Sequence, residues 1–186
     1  TQETITQLEN ILNKNKQYVV WIWECGLDYY WKNDNKWEQK EFFQAQIKLA
    51  KKYNLPYIIH NRDAKEDVLG IIKESNYWNF IMHCFSENLD FAQECIDFSN
   101  DCKISFSGIV TFKNAKEIQE TAQNIPLENI IIETDSPYLT PTPFRWKEEN
   151  EPAFVKHVLE KIIELREENP DIIEKQILKN STNIFK

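Results

Sequence analysis

Pro56-Tyr57-Ile58-Ile59-His60 is apolar until its last position and then ends in an imidazole. Short, continuously apolar runs of this kind suit strands of a parallel sheet covered by helices. Three further runs repeat the pattern: Val19-Val20-Trp21-Ile22-Trp23-Glu24, Asn79-Phe80-Ile81-Met82-His83 and Ile130-Ile131-Ile132-Glu133-Thr134-Asp135. Each ends in a side chain that can hold a metal. When parallel strands close into a barrel, their C-terminal ends converge on one face, and active sites are built there. Folding is therefore expected to gather Glu24, His60, His83 and Asp135 around a common pocket able to grip a cation.

Helical patterns separate these runs. The first helix reads from Thr4 to Asn15, with Ile5, Leu8, Ile11 and Leu12 at helical spacing. A strand follows over Tyr18 to Glu24, then an Asn- and aromatic-rich loop, then a helix from Lys36 to Tyr53. The second strand runs from Pro56 to His60, and Asp63 is the expected cap of a helix from Ala64 to Ser75. Asn79 to His83 is the third strand, and Asn88 or a neighbour starts the helix after it, which carries Leu89, Ala92 and Ile96. Lys103 to Ser107, a helix from Asn114 to Asn124, and Asn129 to Glu133 continue the alternation. A Pro-rich loop then leads to a long helix from Glu151 to Glu168 and another from Asp171 to Lys179, and a last turn carries Ile184 and Phe185. From the pattern alone, an open doubly wound sheet competes with a barrel, and ligands at strand ends fit both.

The composition limits the function classes. The 186 residues suffice for one domain with a real core, and 41% hydrophobic with 28% charged is ordinary for a soluble globular protein. No apolar run approaches the roughly 20 residues that span a bilayer, and no signal segment opens the chain. The net charge of −8 argues against broad electrostatic binding to nucleic acid. It leaves room for a nucleic-acid enzyme whose metal supplies positive charge. Cys25, Cys84, Cys95 and Cys102 form no Cys-x-x-Cys pair, which favours free thiols in a reducing, cytoplasmic setting over a zinc ribbon.

Singly, each candidate has a bland alternative. Glu24 is equally a surface carboxylate, His60 and His83 taken alone read more readily as hydrogen-bonded core histidines than as ligands, and Asp135 before Ser136-Pro137 is a good turn starter. Arg62 is either a phosphate or carboxylate contact or a salt-bridge partner of Asp63. Arg145 and Lys147 are either phosphate contacts or an exposed loop beside Glu148 and Glu149. His157 lies mid-helix among Lys156 and Glu160 and reads as a solvated face. Together the odds change: of three histidines two end separate strands, and a glutamate and an aspartate end two others. One mixed nitrogen and oxygen site for divalent metal accounts for all four.

Six stretches in order carry a family resemblance: Glu24-Cys25-Gly26-Leu27-Asp28-Tyr29-Tyr30, His60-Asn61-Arg62-Asp63-Ala64, His83-Cys84-Phe85-Ser86, Ser107-Gly108-Ile109-Val110-Thr111-Phe112, Glu133-Thr134-Asp135-Ser136-Pro137-Tyr138-Leu139, and Asn150-Glu151-Pro152 after Arg145-Trp146-Lys147. Over nearly the whole chain the sequence resembles the TatD-type metal-dependent DNases. The resemblance implies an α/β, TIM-type (β/α) barrel of the amidohydrolase kind, with residues 1–186 as a single, partial metallohydrolase barrel domain. It implies hydrolysis of DNA phosphodiester bonds, often from the 3′ end, by a monomer that needs no membrane. By the same analogy Glu24, His60, His83 and Asp135 are metal ligands, with Glu24 between two ions of Mg, Mn or Zn. Asp135 and Glu24 are the catalytic residues, and Arg62, Asp63 and Arg145 are supporting or phosphate-side residues.

The sequence also departs from the family. The family's opening strand carries His-x-His, which is absent here, as is a starting Met. The expectation is a fragment lacking roughly the first two βα units and weak or dead as a catalyst. Only 3 glycines stand against 6 tryptophans, where about 7% glycine would give roughly 13. Trp23 and Trp146 stand where the family has glycine, and a tryptophan beside Glu24 is expected to crowd the barrel interior. UGA is read as tryptophan in some genetic codes and as glycine in others, so recoding would explain both counts. UGG at codons 23 and 146 would exclude it. Two glutamates between Lys147 and Asn150, where the family often has one residue, weaken the expectation of phosphate contact by that loop. The rival readings are a superfamily hydrolase acting on a small ester, amide or aminoacyl bond, and a non-catalytic fragment.

Overall fold

The computed structural model describes residues 2–31 and 34–184. Phe185, expected in a last turn, lies outside the described residues. The chain divides into two compact units, Thr1–Met82 and His83–Lys186.

The first unit contains α1 (Gln2–Asn15), β1 (Ile22–Asp28), α2 (Lys36–Tyr53), β2 (Tyr57–Arg62), α3 (Lys65–Ser75) and β3 (Phe80–Met82). β1 pairs with β2, and β2 with β3, all parallel. The expected strand over Tyr18 to Glu24 is displaced: β1 begins at Ile22 and runs past Glu24 to Asp28. Burial explains the displacement, because Ile22, Cys25 and Leu27 point into the core. The register shifts between Ile22 and Cys25, which puts both on the buried side despite their odd separation. Glu24 is therefore inside its strand rather than at its end.

Apolar burial fixes the layers. Phe43, Ile47 and Ala50 of α2 and Val68 and Ile72 of α3 are buried, as are Tyr57, Ile59 and Phe80 of the sheet. The Tyr57 ring stacks on Tyr77 at 5.8 Å between centroids and its hydroxyl donates to the Tyr77 carbonyl at 3.0 Å. Both α2 and α3 end on an asparagine in the left-handed conformation, Asn54 (φ 53°) and Asn76 (φ 50°). Glycine usually takes this place, and asparagine tolerates it best among the rest. Asp63 does not cap α3; Ala64 occupies that position without a side-chain bond, and Asp63 adopts φ 55°.

The second unit contains α4 (Leu89–Phe98), β4 (Lys103–Phe106), α5 (Lys116–Asn124), β5 (Ile130–Ile132), α6 (Val155–Leu165) and α7 (Pro170–Ile184). β4 and β5 pair in parallel, Ile104 opposite Ile130 and Phe106 opposite Ile132. Asn88 caps α4 by accepting from the Phe91 amide at 3.1 Å, as its sequence suggests. The helix expected from Glu151 to Glu168 is shorter. A 3-10 turn at Pro152–Phe154 precedes α6, and α6 stops at Leu165. Arg166 is extended there, and its guanidinium donates to the Ala122 and Ile125 carbonyls at 2.8 and 2.9 Å and to Glu168. Those bonds hold the chain out of the helical path. Buried Asn180 of α7 donates to the carbonyls of Leu127 and Ile130 around β5.

Trp23 is exposed rather than wedged into an interior, and Trp78 is half-exposed. Trp146 is 88% exposed and has φ 69°.

Candidate functional site

In the first unit the functional side chains come from one face of β1. Residues 24, 26 and 28 alternate with buried Cys25 and Leu27, so Glu24, Gly26 and Asp28 share a face. Gly26 pairs in register with His60 of β2. A Cβ at Gly26 would overlap the His60 carbonyl oxygen, and its φ of 132° suits glycine alone. The missing side chain leaves His60 flanked by the carboxylates on either side. Its Nδ1 lies 3.3 Å from Glu24 Oε1 and its Nε2 lies 3.2 Å from Asp28 Oδ2. The Glu24 hydrogen bond raises the His60 pKa against the opposing effect of burial, with Asp28 adding to the rise.

In the second unit His83 directly follows the first unit's β3, and its side chain is only 9% exposed. Glu133 accepts from three directions: the Cys84 amide at 2.7 Å, the Ser105 hydroxyl at 2.6 Å and His83 Nδ1 at 2.9 Å. An ionised carboxylate only accepts, so this contact calls for a proton on Nδ1. Nε2 lies 3.6 Å from Asp135 Oδ1. Asp135 has φ 58°, and its carbonyl accepts from the Tyr138 amide at 2.9 Å. Asn150 ties the same loop down, donating to the carbonyls of Thr134 and Tyr138, both at 2.6 Å.

Within their own units, then, Glu24 meets His60 and His83 meets Asp135. The phosphate-side candidates are placed differently. Arg62 lies over the Tyr30 ring, with its guanidinium carbon 3.9 Å from the centroid, and Asp63 is exposed. Arg145 packs over the Phe112 ring at 3.5 Å. Two residues that sequence reasoning passed over belong with the histidines: Asp28 and Glu133. A signal for Asp28 existed, since four residues along a strand return to the same face. It was hidden by placing the strand too early.

Among the described residues, no group of three or more His, Cys, Asp or Glu converges into a ready-made metal cage. The donors are instead engaged with one another at 2.9–3.6 Å. Their chemistry nevertheless suits a divalent cation, being mixed imidazole and carboxylate. The brace from Glu133 to His83 is also the arrangement that orients a ligating imidazole. Cys25 and Cys102 are not competitors as thiolate ligands, because burial pushes each thiol up to about 12. No described helix is long and apolar enough to cross a membrane.

A family model described as TatD related DNase matches residues 1–186. The chain is 45% identical over 188 residues to a Bacillus subtilis (strain 168) protein named uncharacterized metal-dependent hydrolase YabD, covering 100% of this chain and 72% of that one. It is 43% identical over 144 residues to the Escherichia coli (strain K12) uncharacterized metal-dependent hydrolase YcfH, covering 76% of this chain and 53% of that one. Among solved structures it resembles YJJV, a TatD homolog from Escherichia coli K12, with TM-score 0.92 and 27% identity over 100% of this chain and 71% of that one. An uncharacterized amidohydrolase from Saccharomyces cerevisiae shares the fold, with TM-score 0.85 and 19% identity over 99% of this chain and 71% of that one. The fold is thus α/β, of the TIM-type barrel class.

Proposed function

Because this chain belongs to the TatD related DNase family, we propose that it is a divalent-metal-dependent deoxyribonuclease that removes nucleotides from DNA ends. The observation that carries this reading is the pair of carboxylate-flanked histidines. His60 lies between Glu24 and Asp28, and His83 lies between Glu133 and Asp135. The metal-dependent hydrolase names of its relatives support it as well.

Glu24, His60, His83 and Asp135 are the proposed metal ligands, for Mg²⁺, Mn²⁺ or Zn²⁺. Divalent cations, when bound, supply Lewis acidity and positive charge against the phosphate. Asp135, held on a loop fixed by Asn150, takes the proton of the attacking water. Glu24, the second proposed catalytic residue, holds His60 in place. Glu133 keeps His83 in the tautomer that ligates through Nε2. Arg62 and Arg145 are the proposed phosphate contacts. Such an enzyme acts in the cytoplasm as a monomer.

The test is release of nucleotides from end-labelled oligodeoxynucleotides by protein first stripped with chelator, then supplied with each cation, beside a panel of small esters and amides. The expected result is cation-dependent DNA cleavage that Asp135→Asn lowers by at least about 100-fold, the scale of general-base catalysis. Turnover of small esters with DNA left intact would overturn the proposal.

A further inference from the structure

Asp28 uses its two carboxylate oxygens for different purposes. One lies 3.2 Å from His60 Nε2. The other accepts from the backbone amides of Tyr30 at 2.9 Å and Trp31 at 3.2 Å. The same side chain therefore fixes the turn after β1 relative to a proposed metal ligand. The turn displays two large rings, Tyr30 at 55% exposure and Trp31 at 73%. They meet edge to face, with centroids 4.8 Å apart and planes at 89°. Arg62, which pairs in register with Asp28, lies 3.9 Å over Tyr30 and 5.6 Å from the Trp31 ring.

We infer that Tyr30, Trp31 and Arg62 form a stacking platform for the unpaired terminal nucleotides of a DNA strand. The inference rests on the deoxyribonuclease reading and names how the substrate end is held. A single exposed indole needs no partner, but adjoining exposed rings rimmed by a charged group mark an interaction site, and here two such rings adjoin the Arg62 guanidinium. A flat base covers an indole face without demanding a particular sequence. The guanidinium beside it matches a phosphate in charge and geometry, and its planar contact with Tyr30 holds it in place. A base inside a duplex has no free face, whereas an unpaired base at a strand end offers both of its faces. In a chain of net charge −8, a local cation on an aromatic turn favours an anion there and not over the surface generally.

The test is binding of a short fluorescent oligothymidylate, read by anisotropy in chelator. Trp31→Ala is expected to raise Kd about tenfold, within the range for losing one base stack. Trp31→Phe should restore most of the affinity. Trp37→Ala, which removes an exposed indole on α2, should leave Kd unchanged. Abasic residues at the oligonucleotide's ends should weaken wild-type binding by the same factor and weaken Trp31→Ala no further. Wild-type affinity in Trp31→Ala, or equal abasic losses in both proteins, would overturn the platform while DNA cleavage still stood. A protein that neither binds the oligonucleotide nor cleaves DNA would lose both the platform and the nuclease reading.

Discussion

Glu133 is the acceptor for an amide, a hydroxyl and an imidazole at once. Glu133→Gln would replace one accepting oxygen with a donor facing groups that also donate. The expected consequence is a 10- to 100-fold loss of affinity for Mn²⁺ or Zn²⁺, as for other residues that orient a ligating histidine. Calorimetric titration of wild type and variant measures it, and equal affinities would show that the brace does not act on ligation. This residue was not legible as functional in the sequence. It reads there as the end of an apolar strand, and its partners Cys84 and Ser105 and the His83 ring lie 28 to 50 residues away in the chain. Trp146 poses the opposite case. Its φ of 69° disfavours any residue with a Cβ, and it buries almost nothing in return. Trp146→Gly should therefore raise stability by about 1 kcal/mol, read as a shift of the urea midpoint. An unchanged or lowered midpoint would mean that contacts to the indole outweigh the backbone cost.

Among the elements, β1 has the most consequence for the site. Its shared face of Glu24, Gly26 and Asp28 leaves a gap at Gly26, and β2 comes close against it. Gly26→Ala should separate the two strands locally and move His60 out of reach of both carboxylates. Loss of cation binding with the second unit's signals retained, followed by NMR, is the expected outcome. A variant that binds as well as wild type would show that the close approach is not needed. Helix α2, the start of α4, and strands β4 and β5 agree with the sequence reading to within a residue or so, because apolar spacing and an Asn cap mark those limits. β1 differed because a register shift interrupts its alternation, and α6 differed because Arg166 ends it through bonds to distant carbonyls. Neither cause leaves a mark in local sequence.

For the molecule as a whole, acid is the condition that tests its ion pairs. Asp67 has a lowered pKa because Lys40 and then Tyr29 hydrogen-bond it, and Glu168 has one because Arg166 does. A group depressed in the folded state stabilises above its unfolded value and loses that contribution as pH falls through its folded value. The loss therefore belongs below the ordinary values of 3.8 for Asp67 and 4.5 for Glu168. Both carboxylates are 38% exposed, so screening holds each contribution to about 0.5 kcal/mol. Removing both with Asp67→Asn and Glu168→Gln should lower stability at pH 7 and leave it nearly unchanged at pH 2. Equal losses at the two pH values would mean that packing, not charge, is involved.

Only glycine lacks a Cβ, so every missense change at a glycine codon adds one. At Gly26 that atom would collide with the backbone of His60, and at Gly108 with the Leu139 carbonyl, whereas at Gly70 it would meet open space. In the gene, codons 26 and 108 should tolerate silent substitution only, while codon 70 is free to drift.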